Sequence, residues 1–360
     1  MVCLHLEGGS AMKIVAIDLG QSKSVFCEFD TTTGEYGFSR LITTAERIHT
    51  LLQRERPDQV VVEICPLAAT VHDVATELGL DVIVADTTQD AWRWKNNKRK
   101  TDRDDALKLA RLGALGQLNP VHIPSPRMRQ WRRAVEHRQT LVAEVTRCKN
   151  RIRSLLLPQG HRLPRGKSGW ALKVVERLCT LAQPLSACGA EELWRGLLHV
   201  ELRRLEALLR LRGELDAKLD ELVRGDARTR RLVTIPGVGP RTAEVLVAVL
   251  DDARRFHSRR QVAAYAGLTP RRYQSGQIDR QGRISKRGSP LLRQVLNQAA
   301  WAAVRCNPHL RQVFLRISGR RKGRRKPAIV AVMRRLLVTA WALLRDETVY
   351  QPRPPARSAA

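Results

Sequence analysis

KIVAIDLG, residues 13–20, is a short apolar run stopped by Gly20, the pattern of a buried strand that ends in a turn. Working outward, SVFCEFD (24–30) and TTTGEYGFSRLI (31–42) supply two more strands joined by a Gly-containing turn, so three sequential strands make a meander. A helix over TTAERIHTLLQRE (43–55) follows, then the strand DQVVVEIC (58–65), the helix ATVHDVATELG (69–79), the strand DVIVAD (81–86), and a helix containing KTDRDDA (100–106). The order β-β-β-α-β-α-β-α predicts an α/β domain with a mixed sheet.

The chain has 360 residues, 43% of them hydrophobic, enough to bury a sizeable core in two or more domains. Its 64 Lys and Arg against 35 acids give a formal charge of +29 spread along most of the length, which predicts an anionic partner, nucleic acid foremost. No apolar run approaches the ~18–20 residues of a spanning helix, so no membrane is expected. The opening MVCLHLEGGSAM has neither the basic region nor the apolar core of a signal peptide, so the cytoplasm is the expected compartment. Seven scattered cysteines without CxxC or Cys/His spacing argue against zinc and disulfide scaffolds. Aromatics at 4% are too few for a stacking platform, so any hold on nucleic acid should come through phosphates.

The acids carry the chemistry. In NKRKTDRDDALKLARLG (97–113), Asp102 and Asp105 are three apart and share a helix face, whereas Asp104 points away. Two carboxylates on one face repel unless a cation or hydrogen bonds compensate, and a hard divalent metal is one such cation. Asp18 ends an apolar strand and Glu63 sits inside one. Asp18 is either a turn-capping carboxylate or a ligand. Glu63 is either a salt-bridge partner for a helix Arg or a ligand. If their strands are neighbours, the two meet side by side. Asp86, also at a strand end, reads as a loop or cap residue.

IVAIDLG, VVVEIC and KTDRDDA resemble the acidic motifs of the DEDD insertion-sequence transposases, whose N-terminal domain is RuvC-like with an RNase H fold. The resemblance places the family's tetrad on Asp18, Glu63, Asp102 and Asp105 and implies that these hold Mg²⁺, or Mn²⁺. Two departures, Ile64-Cys65-Pro66 after the glutamate and Asp104 in place of a commonly apolar residue, remove no ligand. GLTPRRYQSGQIDRQGRISKRG (267–288) is similar to the C-terminal transposase domain of the same family, related to the Piv-type DNA invertases, and puts its nucleophilic serine at Ser275, with Ser285 and Ser289 weaker candidates. Read without the resemblance, a serine that precedes glycine in a polar stretch, like Ser275, is usually a turn residue. Arg271, Arg272, Arg280, Arg283, Lys286 and Arg287 surround it and could hold a phosphodiester.

The family likeness further implies RNA-guided strand exchange between donor and target DNA, directed by a structured noncoding RNA. It also implies a dimer or tetramer in which one subunit's metal site meets another's serine. Two other readings of the residues are a metal-dependent structure-selective endonuclease or junction resolvase that uses water, and a non-catalytic nucleic-acid-binding protein.

Five segments are expected: an extension (1–12), the DEDD domain (13–125), a helical arm (126–225), the serine transposase domain (226–310), and a basic helical end with a disordered tail (311–360). In the arm, Leu208, Leu211, Leu215, Leu219 and Leu222 step by three or four into one stripe, which fits either a dimerising coiled coil or an intramolecular hairpin. The loop PQGHRLPRGKSGW (158–170) interrupts it, and its His161 has no identifiable partner. IPGVGPRTA (235–243) resembles a helix-hairpin-helix turn, in which Gly237, Gly239 and Arg241 either meet a phosphate or make a tight interhelical turn. Arg320, Arg321 and Lys322 in GRRKGRRKP (319–327) are either phosphate contacts or a solvated loop.

Overall fold

The computed structural model describes residues 11–86, 101–275, 278–319 and 321–352, which divide into two compact units, Met1–Pro124 and Ser125–Ala360. The first holds β1 (Lys13–Asp18), β2 (Lys23–Asp30), β3 (Tyr36–Ile42), α1 (Ala45–Glu55), β4 (Gln59–Glu63), α2 (Ala68–Glu77), β5 (Asp81–Ala85) and α3 (Asp102–Ala114). Its sheet runs β3-β2-β1-β4-β5, antiparallel through the meander and parallel from β1 to β4 to β5. This is the mixed, RNase H-like α/β architecture.

The pleat sorts the side chains. Val15, Ile17, Val60 and Val62 pack with Ile48, Leu51 and Leu52 of α1 and Val71 and Val74 of α2. Ile14, Ala16 and Val61 point the other way, against Ala106, Leu109 and Ala110 of α3. The central strands are therefore covered on both faces, which is why they read as continuous apolar runs.

The second unit is mainly helical: α4 (Pro126–Leu156), α5 (Leu172–Leu181), α6 (Leu193–Gly225), α7 (Ala227–Val233), α8 (Pro240–Leu250), α9 (Arg259–Tyr265), the hairpin β6 (Pro270–Ser275) and β7 (Ile278–Ile284), then α10 (Pro290–Cys306), α11 (Pro308–Ser318) and α12 (Arg325–Arg345). The arm is an intramolecular pairing of α4 with α6. Its outer half has its own core of Leu141, Val145, Ile152, Leu178, Leu198 and Leu205. Its base, with Trp131, Val135, Leu219 and Val223, enters the large core of the unit.

The leucine stripe needs a correction: Leu208 and Leu219 are buried, but Leu211 is 46% exposed. The buried set Leu205, Leu208, Leu219 and Val223 centres a stripe from which Leu211 is rotated by about 100°. A helix of membrane-spanning length is also present, although no apolar run of that length is expected from the sequence. By length and composition the helix Lys322–Arg345 could cross a membrane, yet 56% of its apolar window is buried inside the protein. Ile329, Val332, Leu336, Leu337 and Trp341 make it a core helix, and the Trp341 indole donates to the Ala253 carbonyl at 2.9 Å.

Two residues of the hairpin-like turn serve packing. Gly237 has φ +95°, and a Cβ there would lie 2.6 Å from the backbone N and Cα of Ala303, so the turn is pressed against α10. Arg241 is held by Glu244 at 2.9 Å, Asp220 at 2.8 Å and Asp216 at 3.3 Å, and Asp216 also accepts from Arg138 at 2.5 Å. With three carboxylates around it, Arg241 ties α8 to α6 and leaves little charge for a phosphate, against the sequence expectation. Gly239 caps α8, and open space surrounds it.

Glu244 is only 1% exposed, and burial pushes its carboxyl above the ordinary glutamate value while Arg241 opposes the shift. Folding therefore favours the protonated acid, and that stability is lost as pH rises through the raised value.

Gly237→Ala is expected to lower unfolding stability by about 2–3 kcal/mol in denaturant titration, because positive φ and a backbone clash act together. Arg241→Ala should cost about 3 kcal/mol by leaving Glu244 buried with less compensation. That loss should deepen as pH rises above the ordinary glutamate range, and Glu244→Gln in the same background should recover most of it.

Candidate active site

β1 and β4 are parallel with Ile17 opposite Val62, so the next residues, Asp18 and Glu63, leave the same sheet edge side by side. Glu63 is thus the last residue of its strand and half-buried, not an interior acid as its apolar surroundings suggested. Neighbouring strands lie about 4.8 Å apart. The alternation that sends Ala16 and Val61 to the α3 face assigns Asp18 and Glu63 to that face as well. The carboxyl ends of parallel strands are where open α/β sheets bind ligands.

α3 closes this edge. Thr101 is its N-cap: the hydroxyl accepts from the Asp104 amide at 3.2 Å and donates to the Asp104 carboxylate at 2.7 Å. Asp104 is accounted for by this reciprocal cap. All three aspartates lie in the first turn, where the helix dipole favours negative charge. Asp105 is 8% exposed on the face that packs against the sheet, while Asp102, one turn earlier, is exposed. Lys100 and the basic run before it lie outside the described residues.

Four carboxylates with no sulfur or imidazole form a donor set suited in kind to a hard divalent cation. The strand ends and the helix start bring the backbones of Asp18, Glu63 and Asp105 to one edge and one face. As the side chains stand, no three His, Cys, Asp or Glu among the described residues gather closely enough to hold a metal ion. Cysteine is a poor alternative: burial pushes the Cys27 thiol up to about 12, and burial with the Glu201 carboxylate pushes Cys148 up to about 11.

Ser275 ends β6, its backbone opposite Ile278 across the hairpin, and Gly276 lies outside the described residues. Ser289 is the N-cap of α10 and accepts from the Leu292 amide at 3.2 Å, while the Ser285 amide donates to Thr269. Of the surrounding cations, Arg272 is committed to a bidentate pair with Asp279, at 2.9 and 2.7 Å across the strands. Arg271 donates to the Ser285 carbonyl at 3.3 Å. Arg280, Arg283, Lys286 and Arg287 are exposed. Arg321 and Lys322 are also exposed, and Arg320 lies outside the described residues. His161 rests on Trp194, with ring centroids 5.8 Å apart. Sequence reasoning missed Glu244, although an acid inside the apolar run AEVLVAVL is a readable signal of a buried ion pair.

Two family models match in chain order: a DEDD-type transposase model over residues 15–159 and the model described as transposase IS116/IS110/IS902 family over residues 229–315. A probable family 20 transposase of Pseudomonas aeruginosa is 34% identical, covering 70% of this chain and 74% of that one. The transposase for insertion sequence element IS1111A of Coxiella burnetii is 26% identical over 94% of this chain and 92% of its own. A pilin gene-inverting protein of Moraxella lacunata is 34% identical over 35% and 39%. With the acidic edge in the first matched segment, the serine hairpin in the second, and kinship across most of the length, the chain belongs to the IS116/IS110/IS902 family of transposases, enzymes that recombine DNA by phosphoryl transfer.

Proposed function

We propose that this transposase exchanges DNA strands through a serine-linked intermediate, with Asp18, Glu63, Asp102 and Asp105 as the metal-holding acids and Ser275 as the nucleophile. The observation that carries the reading is the in-register pairing of β1 with β4, which sets Asp18 beside Glu63 on the face covered by the helix bearing Asp105. A bound Mg²⁺ or Mn²⁺ supplies Lewis-acid stabilisation of phosphoryl oxygens. The chain's own part is to keep the acids at one sheet edge and to present the serine on a cationic hairpin.

In this reading the Ser275 hydroxyl loses its proton as it bonds to phosphorus, and the departing DNA oxygen becomes a free 3′-hydroxyl. The exposed cations Arg280, Arg283, Lys286 and Arg287 hold the strand through its phosphates. A 3′-hydroxyl on a partner strand then reverses the step, so the phosphodiester energy is conserved. Donor and target DNA are the substrates, and a structured noncoding RNA selects them. Two or four copies of the chain assemble so that the serine of one serves the acids of another.

Ser275→Ala is expected to abolish the covalent protein-DNA adduct seen on denaturing gels, with wild type forming one; an undiminished adduct rejects the assignment. Products separate this from hydrolysis by water, which releases free ends in place of rejoined recombinants. Asp105→Ala or Asp18→Ala should lower strand cleavage by about 10²-fold or more and weaken Mn²⁺ binding measured by paramagnetic relaxation. Unchanged Mn²⁺ affinity in both variants removes these residues from the metal site.

A further inference from the structure

The loop 158–170, singled out in the sequence for its charge, lies beside α4 and borders an open, shallow cleft of about 480 Å³. Lys149 and Arg153, one turn apart on α4, form one wall, and Arg165, Lys167 and Trp170 form the other. The lining has four cations and, among the described residues, no carboxylate. Nearby acids are engaged elsewhere: Glu144 with Arg147, Glu201 with Arg151, and Asp216 with Arg138 and Arg241.

The cleft is braced. Arg153 donates to the carbonyls of Leu163 and Pro164 at 3.4 and 2.9 Å, and a Cβ on buried Gly169 would lie 2.2 Å from the Pro164 oxygen. Trp170 carries Lys149 4.9 Å and Arg153 5.6 Å from its ring centroid, so the indole fixes both heads. Burial, and secondarily Arg212 and Arg153 close by, lowers the Lys149 ammonium below the ordinary lysine value.

We infer that this cleft is a second nucleic-acid site, a phosphodiester-backbone dock on the helical arm that is separate from the serine hairpin. Two braced cations, Lys149 and Arg153, and two exposed ones, Arg165 and Lys167, around an open volume lined by no carboxylate among the described residues suit an anion of phosphate chemistry. The site rests on the chain's handling nucleic acid, and it is independent of which group attacks phosphorus. RNA and DNA share the phosphodiester, and the test separates them.

In the full-length Ser275→Ala protein, labelled single-stranded RNA, an RNA hairpin and duplex DNA are titrated between about 50 and 200 mM salt. Arg165→Ala with Lys167→Ala should weaken binding about tenfold at the low end and flatten the log-affinity against log-salt slope by about two. Arg165→Lys with Lys167→Arg should retain both affinity and slope. Loss on RNA assigns the dock to RNA, and loss on the duplex assigns it to DNA. An unchanged slope on all three ligands overturns the site. So does an equal loss on removing Arg259 and Arg260, exposed cations of the same unit, or a loss in the charge-retaining pair.

Discussion

Parallel pairing of β1 with β4 is the constraint on which the acidic edge of the first unit depends. A shift of one residue in that register would send Glu63 to the opposite face from Asp18 and disperse the acidic edge. Two apolar faces enforce the register, because Ile17 and Val62 must meet α1 and α2 while Ala16 and Val61 meet α3. The same hydrophobic sorting that folds the domain therefore positions Asp18 and Glu63, and α3 brings Asp105 to that face through a helix start that Thr101 and Asp104 define.

In a chain with +29 formal charge the informative distinction is between cations already answered within the protein and those facing outward. Arg241 and Arg272 belong to the first kind, bound by Asp216, Asp220 and Glu244 in one case and by Asp279 in the other. Arg280, Arg283, Lys286 and Arg287 are exposed on the serine hairpin and its continuation, where a polyanion can reach them. Arg241 is paired where one of its partners, Glu244, is buried, and Arg272 is paired at the surface, while the second group keeps its charge open to solvent.

Much of the first unit was legible because its signals are local. The continuous apolar runs of the central strands and the place of Asp18 at a strand end can be read directly from residue order, and even the adjacency of Asp18 and Glu63 followed once their strands were taken as neighbours. The partners of Arg241 were not legible, since Asp216 and Asp220 lie more than twenty residues away on another helix. Gly237 could be read as a residue that permits close approach, but whether a phosphate or a helix approached depended on Ala303, far along the chain. Leu211 misled because spacing by three or four admits a drift of the stripe, and only the packing of α4 against α6 selects its centre. The loop 158–170 was recognisably basic, yet its partners Lys149 and Arg153 belong to a helix whose charged face looks like ordinary solvated surface.

The continuity of α4 has a metrical consequence. From Trp131, seated in the large core, to Arg153 at the cleft, the unbroken helix advances about 33 Å at its fixed rise, which is close to the repeat of one double-helical turn. A rod of that length acts as a ruler: whatever grips its outer end is held at a set phase from the inner end, so an inserted or deleted residue would alter both span and angular heading.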